Sequence, residues 1–392
     1  MSTKLPGRPA LSGALTLSLG LALMTFQVGG QVSAQTLSAP PSSAPKSPAP
    51  KPLTSTEQKS LDLIFTKARP GSLRIEQCPL TGSCEEPDGL GTGFIIQSDA
   101  SGTLALTAYH VIFGARKLEA VGLDRARYPV SVIGYDDGHD VALLKINVPS
   151  GRTLPALPLA PQPPKVGQSA LAIGNGNGDF LVSKSGRLVG LNVAASRADF
   201  PPGTLQLTAP LIPGDSGGPI LNAQGEVMGV ISYISAHRTP FGVATDASYA
   251  VPVTKGSPLL AELRGGLKRD APILGLRSSG DLSEEAFATL GLGSLPGAVF
   301  TEVTKGGPAD LAGLRPLKPI NNDANGVPTQ LSGDVITAIN GVRIRGFDEL
   351  LAAVRSQKVG VIIKLSVVRD GKAIPDISLK LAPRTITADI GR

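Results

Sequence analysis

The sequence predicts a mainly β protein of short antiparallel strands followed by a smaller α+β module, and three observations predict it. Gly and Pro fill 81 of 392 positions, which disfavours long helices and suits short strands joined by tight turns. From Ser72 to about Val253, short apolar runs alternate with turn residues and no helical pattern intervenes, the mark of an antiparallel sandwich or barrel; about 180 residues suffice for two small barrels. Beyond residue 271, short strand runs mix with helical ones, as in a compact α+β unit. With 41% hydrophobic and 17% charged side chains, the chain is too apolar for disorder and too long for one ordinary domain.

At the N-terminus, Lys4 and Arg8 precede an apolar run from Leu11 to Val28, and Val32-Ser33-Ala34 supplies small residues. This reads as a secretory signal over 1–34, cleaved after Ala34. A retained membrane anchor is the competing reading, but Ser12, Thr16 and Ser18 interrupt the run, which falls short of a clean span of about 20 apolar residues. Without that segment, 35 basic side chains face 31 acidic ones, and no Lys/Arg cluster marks a nucleic-acid footprint. Residues 35–55, with six prolines from Pro40 to Pro52, predict an extended linker. Cys78 and Cys84 are the only cysteines; in an exported chain they are expected to form one disulfide, and closing so short a loop stabilises by about 2 kcal/mol. Two thiols alone make a poor metal site, so neither metal nor cofactor is expected.

Leu61, Leu63, Ile64 and Phe65 predict a short helix over 56–66, with Phe65 exposed for packing on the barrels or another subunit, or the helix simply capping its own domain. Strand runs follow at Ser72–Ile75, Gly93–Ile96, Leu104–Thr107, Val130–Ile133, Val141–Ile146, Ala170–Ile173, Gly186–Leu191, Leu205–Thr208 and Val227–Ile231. Leu259, Leu260 and Leu263 then repeat at helical spacing before Gly265-Gly266, which marks a hinge. In the last unit, strand runs at Ala298–Val303, Val335–Ile339, Val359–Val368 and Ile377–Leu381 accompany helical patterns at Glu284–Leu290, Ala309–Leu314 and Phe347–Ser356.

The chemistry lies in three segments. His110 ends an apolar strand in Leu106-Thr107-Ala108-Tyr109-His110-Val111; Asp140 opens the strand Val141–Ile146; Ser216 sits in the glycine-dense turn Gly214-Asp215-Ser216-Gly217-Gly218-Pro219. A serine hydroxyl needs a base, an imidazole suits that task near neutral pH, and the imidazole needs a buried carboxylate on its other nitrogen. Glycines beside Ser216 allow the Gly214 and Ser216 amides to point together as an oxyanion hole. Singly, each segment reads as a turn, a strand-end acid or a core histidine; together in this order they point to nucleophilic hydrolysis. His139 neighbours Asp140 on a strand and is expected to face away, and His237 is expected in a polar surface loop after Ser216. Gly174-Asn175-Gly176-Asn177-Gly178 has neither a following helix nor a lysine, so it reads as a loop beside the site rather than a phosphate loop.

These residues resemble the trypsin-like fold and, more narrowly, the HtrA/Deg family of exported serine proteases. Gly91-Thr92-Gly93-Phe94, Ala172-Ile173-Gly174-Asn175 and Ser248-Tyr249-Ala250-Val251-Pro252-Val253 support the likeness. It implies a trypsin-like double six-stranded antiparallel β-barrel over 56–260, a linker over 261–270, an α+β PDZ domain over 271–383 and a tail over 384–392. Pro272-Ile273-Leu274-Gly275-Leu276, Gly307-Pro308-Ala309 and Gly333-Asp334-Val335-Ile336 carry the PDZ resemblance, which implies that the amides of Leu274, Gly275 and Leu276 receive a peptide carboxylate. It further implies a trimer or multiple of it, unfolded polypeptide substrates and a secreted or periplasmic place. The sequence departs from the family at Asp215, where Asn is usual; trypsin has an acid there that meets a new N-terminus, but here a basic side chain is the expected partner. It also lacks the usual acid in Leu207–Pro213 and inserts a polar loop at 316–331. The alternative function is a catalytically silent peptide-binding chaperone or scaffold.

Overall fold

The computed structural model describes residues 51–81, 83–193, 203–239, 242–278 and 281–384. The expected signal 1–34, the linker before Lys51 and the tail beyond Arg384 lie outside them. Among the described residues no helix is long and apolar enough to cross a membrane.

Helix α1 (Ser55–Ala68) starts at a capping box: Glu57 N donates to Thr54 Oγ1 at 3.2 Å, and Thr54 N donates to Glu57 Oε2 at 2.8 Å. The cap sets its start and sequence periodicity does not, so the helix is longer than the 56–66 pattern. Leu61 is buried and Ile64 and Phe65 pack partly against the core, while Leu63, 67% exposed, is the side chain that faces out instead of Phe65.

Six strands follow: β1 (Ser72–Cys78), β2 (Gly89–Asp99), β3 (Gly102–Thr107), β4 (Lys117–Val121), β5 (Arg127–Asp136) and β6 (Val141–Ile146). They run in the order β5-β4-β1-β2-β3-β6, and β5 also pairs with β6, closing a barrel. Cys78, at the end of β1, is bonded to Cys84. The next six, β7 (Ser169–Gly174), β8 (Val182–Val193), β9 (Thr204–Leu207), β10 (Pro219–Leu221), β11 (Val227–Thr239) and β12 (Gly242–Pro252), close a second barrel in the order β10-β11-β12-β9-β8-β7. Each barrel has its own apolar filling, and a third cluster joins them: Phe94, Leu106 and Leu143 meet Leu171, Ile173 and Val230, with Leu61 of α1 packed in. This seam is where α1 docks, and it is also where a site can draw side chains from both barrels.

Helix α2 (Tyr109–Ile112) is a single turn after β3, and helix α3 (Pro258–Arg264) buries Leu260 and Leu263 in the seam. The expected 261–270 linker is therefore not free chain: its start completes α3, and β13 (Lys268–Arg269) pairs in parallel with Tyr135 and Asp136 of β5. The last unit holds an antiparallel sheet of Ala298–Val299, Asp334–Ile339, Ile362–Arg369 and Lys372–Lys380, covered by the helix Phe347–Arg355 through Leu350 and Val354. The insertion expected as a loop at 316–331 is a hairpin, Lys318–Asn322 paired with Pro328–Ser332, largely exposed.

Candidate active site

The turn α2 holds His110 at the mouth of the first barrel. Its backbone N donates to Asp140 Oδ1 at 2.9 Å, and its ring Nδ1 lies 2.8 Å from Asp140 Oδ2. Asp140 has φ +53°, a left-handed conformation that aspartate tolerates better than most residues, and it ends the turn between β5 and β6. Its Oδ2 also accepts from Ser232 Oγ, a β11 residue with no signal in the sequence beyond its apolar neighbours. Burial opposes the charged imidazolium, but the charge of Asp140 and its hydrogen bond outweigh this and hold the His110 pKa above its ordinary value. Burial likewise pushes Asp140 up, yet the His110 charge and hydrogen bonds from His110 and Ser232 bring it below the usual carboxylate range. The pair is thus built to keep Asp140 ionised against the ring. His139 turns instead to Asp136, with Nδ1 2.8 Å from Oδ2; His237 lies in β11, and its side chain is outside the described residues.

Ser216 comes from the second barrel, in two successive turns. Asp215 N donates to Ile212 O at 3.1 Å and Gly218 N to Asp215 O at 3.0 Å. Gly214 and Gly217 hold the third positions with φ +101° and +84°, where a side chain would be strained. Among the described residues the Gly214 and Ser216 amides donate to no protein group, which leaves both available to a ligand. Thr92 of β2 fastens this turn to the first barrel: its N donates to Ser216 O and its Oγ1 to Gly214 O, both at 2.8 Å. Ser216 Oγ donates to Ser232 O at 3.3 Å, not to His110. Hydrogen bonds between a serine and an imidazole in such sites often form only with substrate bound.

His110, Asp140 and Ser216 line one open cavity of about 280 Å³. Leu211, Ile212, Ile231 and Ile234 give it an apolar wall, and Arg355 and Arg384 of the last unit reach its rim. Asp215 is buried beneath it, with Lys184 as the basic partner. Away from the cavity, Leu274 is buried and its O accepts from Ala309 N at 3.0 Å; Gly275 turns with φ +81°, and Leu276–Arg277 pairs with Glu302–Val303. The chain there leaves one short strand and enters another, with Gly275 and Leu276 half-buried.

Comparison with known proteins matches residues 91–230 to the trypsin-like peptidase domain and residues 272–381 to the PDZ domain. Among relatives, Protease Do-like 1, chloroplastic, of Arabidopsis thaliana is 30% identical over 303 residues, 76% of this chain and 65% of that one. The probable periplasmic serine endoprotease DegP-like of Pseudomonas fluorescens is 32% identical over 73% of this chain and 55% of its own. The periplasmic pH-dependent serine endoprotease DegQ of Escherichia coli is 28% identical over 93% and 76%. The chain therefore spans less than two thirds of the first two. The structure of the HtrA-type protease AlgW with decapeptide aligns over 83% of this chain and 98% of its own, at 22% identity and a TM-score of 0.51, a likeness of fold. With both domain matches and these relatives, the chain joins a trypsin-like peptidase domain to a PDZ domain and is similar to the HtrA/Deg serine proteases.

Proposed function

We propose that the chain is an exported serine endopeptidase that hydrolyses peptide bonds in unfolded or damaged proteins, in quality control and stress response. The observation that carries this reading is the His110–Asp140 pair and Ser216 lining one cavity, beside two amides that donate to no protein group among the described residues. In this mechanism His110 Nε2 takes the Ser216 proton as Oγ attacks the substrate carbonyl, and Asp140 holds the ring and its developing charge. The Gly214 and Ser216 amides hold the oxyanion; His110 then gives its proton to the leaving amine, and water releases the acyl group by the same route. The apolar wall at Leu211, Ile212 and Ile234 suits an uncharged aliphatic side chain next to the scissile bond. The PDZ domain would dock C-terminal peptides at the Leu274, Gly275 and Leu276 amides and regulate the peptidase, within a trimer or a multiple of it, in the periplasm or outside the cell.

The silent scaffold is the second reading, and it is favoured by Ser216 Oγ donating to Ser232 O. One experiment separates them. A serine-directed phosphonate is expected to label Ser216, and Ser216→Ala to lose casein cleavage by at least about a thousandfold. Unlabelled Ser216 under several activating peptides, or a Ser216→Ala protein as fast as the parent, sinks the enzyme reading.

A further inference from the structure

Asp215 is one residue before Ser216, in the turn that carries both oxyanion amides, and it is 1% exposed. Its carboxylate has three donors. Gly176 N reaches Oδ1 at 3.0 Å, Ile212 N reaches Oδ2 at 2.9 Å, and Lys184 Nζ reaches Oδ2. Lys184 lies on β8, opposite Ala172 of β7, so a regular strand pair fixes its base; its side chain is only 15% exposed. The surroundings are fitted to the pair. A Cβ on residue 176 would lie 2.7 Å from Lys184 Nζ and 2.8 Å from Asp215 Oδ1, so only glycine lets the ammonium and carboxylate meet there.

A buried carboxylate with amide donors alone would keep an uncompensated charge, and removing one partner of a buried pair is far more damaging than replacing both with neutral groups. The damage here would fall on the turn itself, because Asp215 N closes the turn through Gly214 by donating to Ile212 O. An acid at this position that relied on a free amino terminus would need proteolytic trimming to be satisfied; an internal lysine on a barrel strand satisfies it as soon as the barrel folds.

We propose that Lys184 is a positioning residue for the oxyanion turn: its ammonium neutralises Asp215, and the pair holds the Gly214 and Ser216 amides convergent without any chain cleavage. This rests on the peptidase reading above. Lys184 touches no substrate. Its effect is on the turnover step, because the oxyanion exists only in the transition state.

The test uses the full chain in four forms: parent, Lys184→Met, Asp215→Asn, and the two together. Casein cleavage, the rate of Ser216 labelling by the phosphonate and thermal unfolding are measured for each. Lys184→Met keeps the aliphatic stem and loses the charge; kcat and the labelling rate are expected to fall about a hundredfold, the size of losing one oxyanion donor, with KM within about threefold. Adding Asp215→Asn removes the stranded carboxylate, and the double variant is expected to recover at least about tenfold in kcat and to unfold at a higher temperature than Lys184→Met. A folded Lys184→Met protein with the parent's kcat overturns the proposal. So does a double variant no better than the single one in rate and in unfolding temperature, since a lysine needed only for packing would not be rescued at residue 215. The Ser216→Ala control fails separately: if it cleaves like the parent, the peptidase reading falls, while the unfolding temperatures still report whether the two residues are coupled.

Discussion

Asp140 is a carboxylate where burial alone would favour the neutral acid, yet the His110 ring, the His110 amide and the Ser232 hydroxyl keep it ionised. His110 has a folded pKa above its ordinary value, about 6.5, so the pair's stabilisation is full below that value and is lost as pH rises through the folded pKa. Asp140 has a lowered folded pKa, so its contribution is present above the unfolded carboxylate value and is lost as pH falls through the folded one. On the peptidase reading the base must be the neutral ring, so the acid limb of kcat/KM for the parent should fall above pH 6.5 or so. In Asp140→Asn the opposing charge is gone, and burial and the Arg384 charge remain, so the limb should move to lower pH while the plateau drops about 10⁴-fold. A pH–rate profile with the limb unmoved would mean that another group holds the ring. The three residues of this constellation were legible in the sequence because each has a segment of its own. Ser232 was not, because a serine inside an apolar strand carries no pattern that says which way its hydroxyl points.

The barrels place Ser216 on one element set and His110 on another, so the strand that joins them matters as much as either. Thr92 of β2 does this: Oγ1 donates to Gly214 O and accepts from Asn175 N at 3.1 Å, while its own carbonyl accepts from Thr107 Oγ1 at 2.6 Å. Thr92→Val keeps the shape and removes the hydroxyl, leaving the Gly214 carbonyl and the Asn175 amide with only their long mutual contact at 3.4 Å. Unfolding should cost about 1–3 kcal/mol less, and kcat should fall with KM nearly unchanged. Stopped or steady-state kinetics with a chromogenic peptide checks this, and a KM effect alone would mean that Thr92 supports binding and not the turn. The sequence marked Gly91-Thr92-Gly93-Phe94 only as part of a family likeness. Its strands were readable where apolar runs were continuous, as in Val141–Ile146. They were lost where the strand was short, as in Pro219–Leu221, or interrupted by charge, as in Lys117–Val121. Those strands are specified by pairing with neighbours distant in sequence, which periodicity within a window cannot reveal.

Across the whole described chain, the hinge expected at Gly265-Gly266 leads into a docked connector. Tyr135 N donates to Leu267 O at 2.7 Å, Asp137 N to Arg269 O at 2.9 Å, and Tyr135 Oη to Asp270 Oδ1 at 2.8 Å. These contacts fall on the turn that ends in Asp140, and no sequence pattern could have joined residues 135–137 to 267–270. Asp137 closes the arrangement: it is 1% exposed, and its Oδ1 accepts from Arg384 Nη1 at 2.7 Å and its Oδ2 from Ala271 N at 3.1 Å. Burial still holds its pKa above the ordinary value despite these donors, so an ionised Asp137 costs stability as pH rises through the carboxylate range. Arg384→Ala removes the cation and enlarges that cost. The variant should lose about 2 kcal/mol at neutral pH, the size of a hydrogen bond to a charged group, and the deficit should shrink toward about pH 3, below the carboxylate range, where Asp137 is protonated both folded and unfolded. Trypsin should also cut sooner at Lys268 and Arg269 once the connector loosens from β5. Thermal unfolding at several pH values with a timed digest tests both; a deficit equal at every pH would mean that Arg384 acts through packing alone, and the charge on Asp137 would have no part in holding the connector against the turn that ends in Asp140.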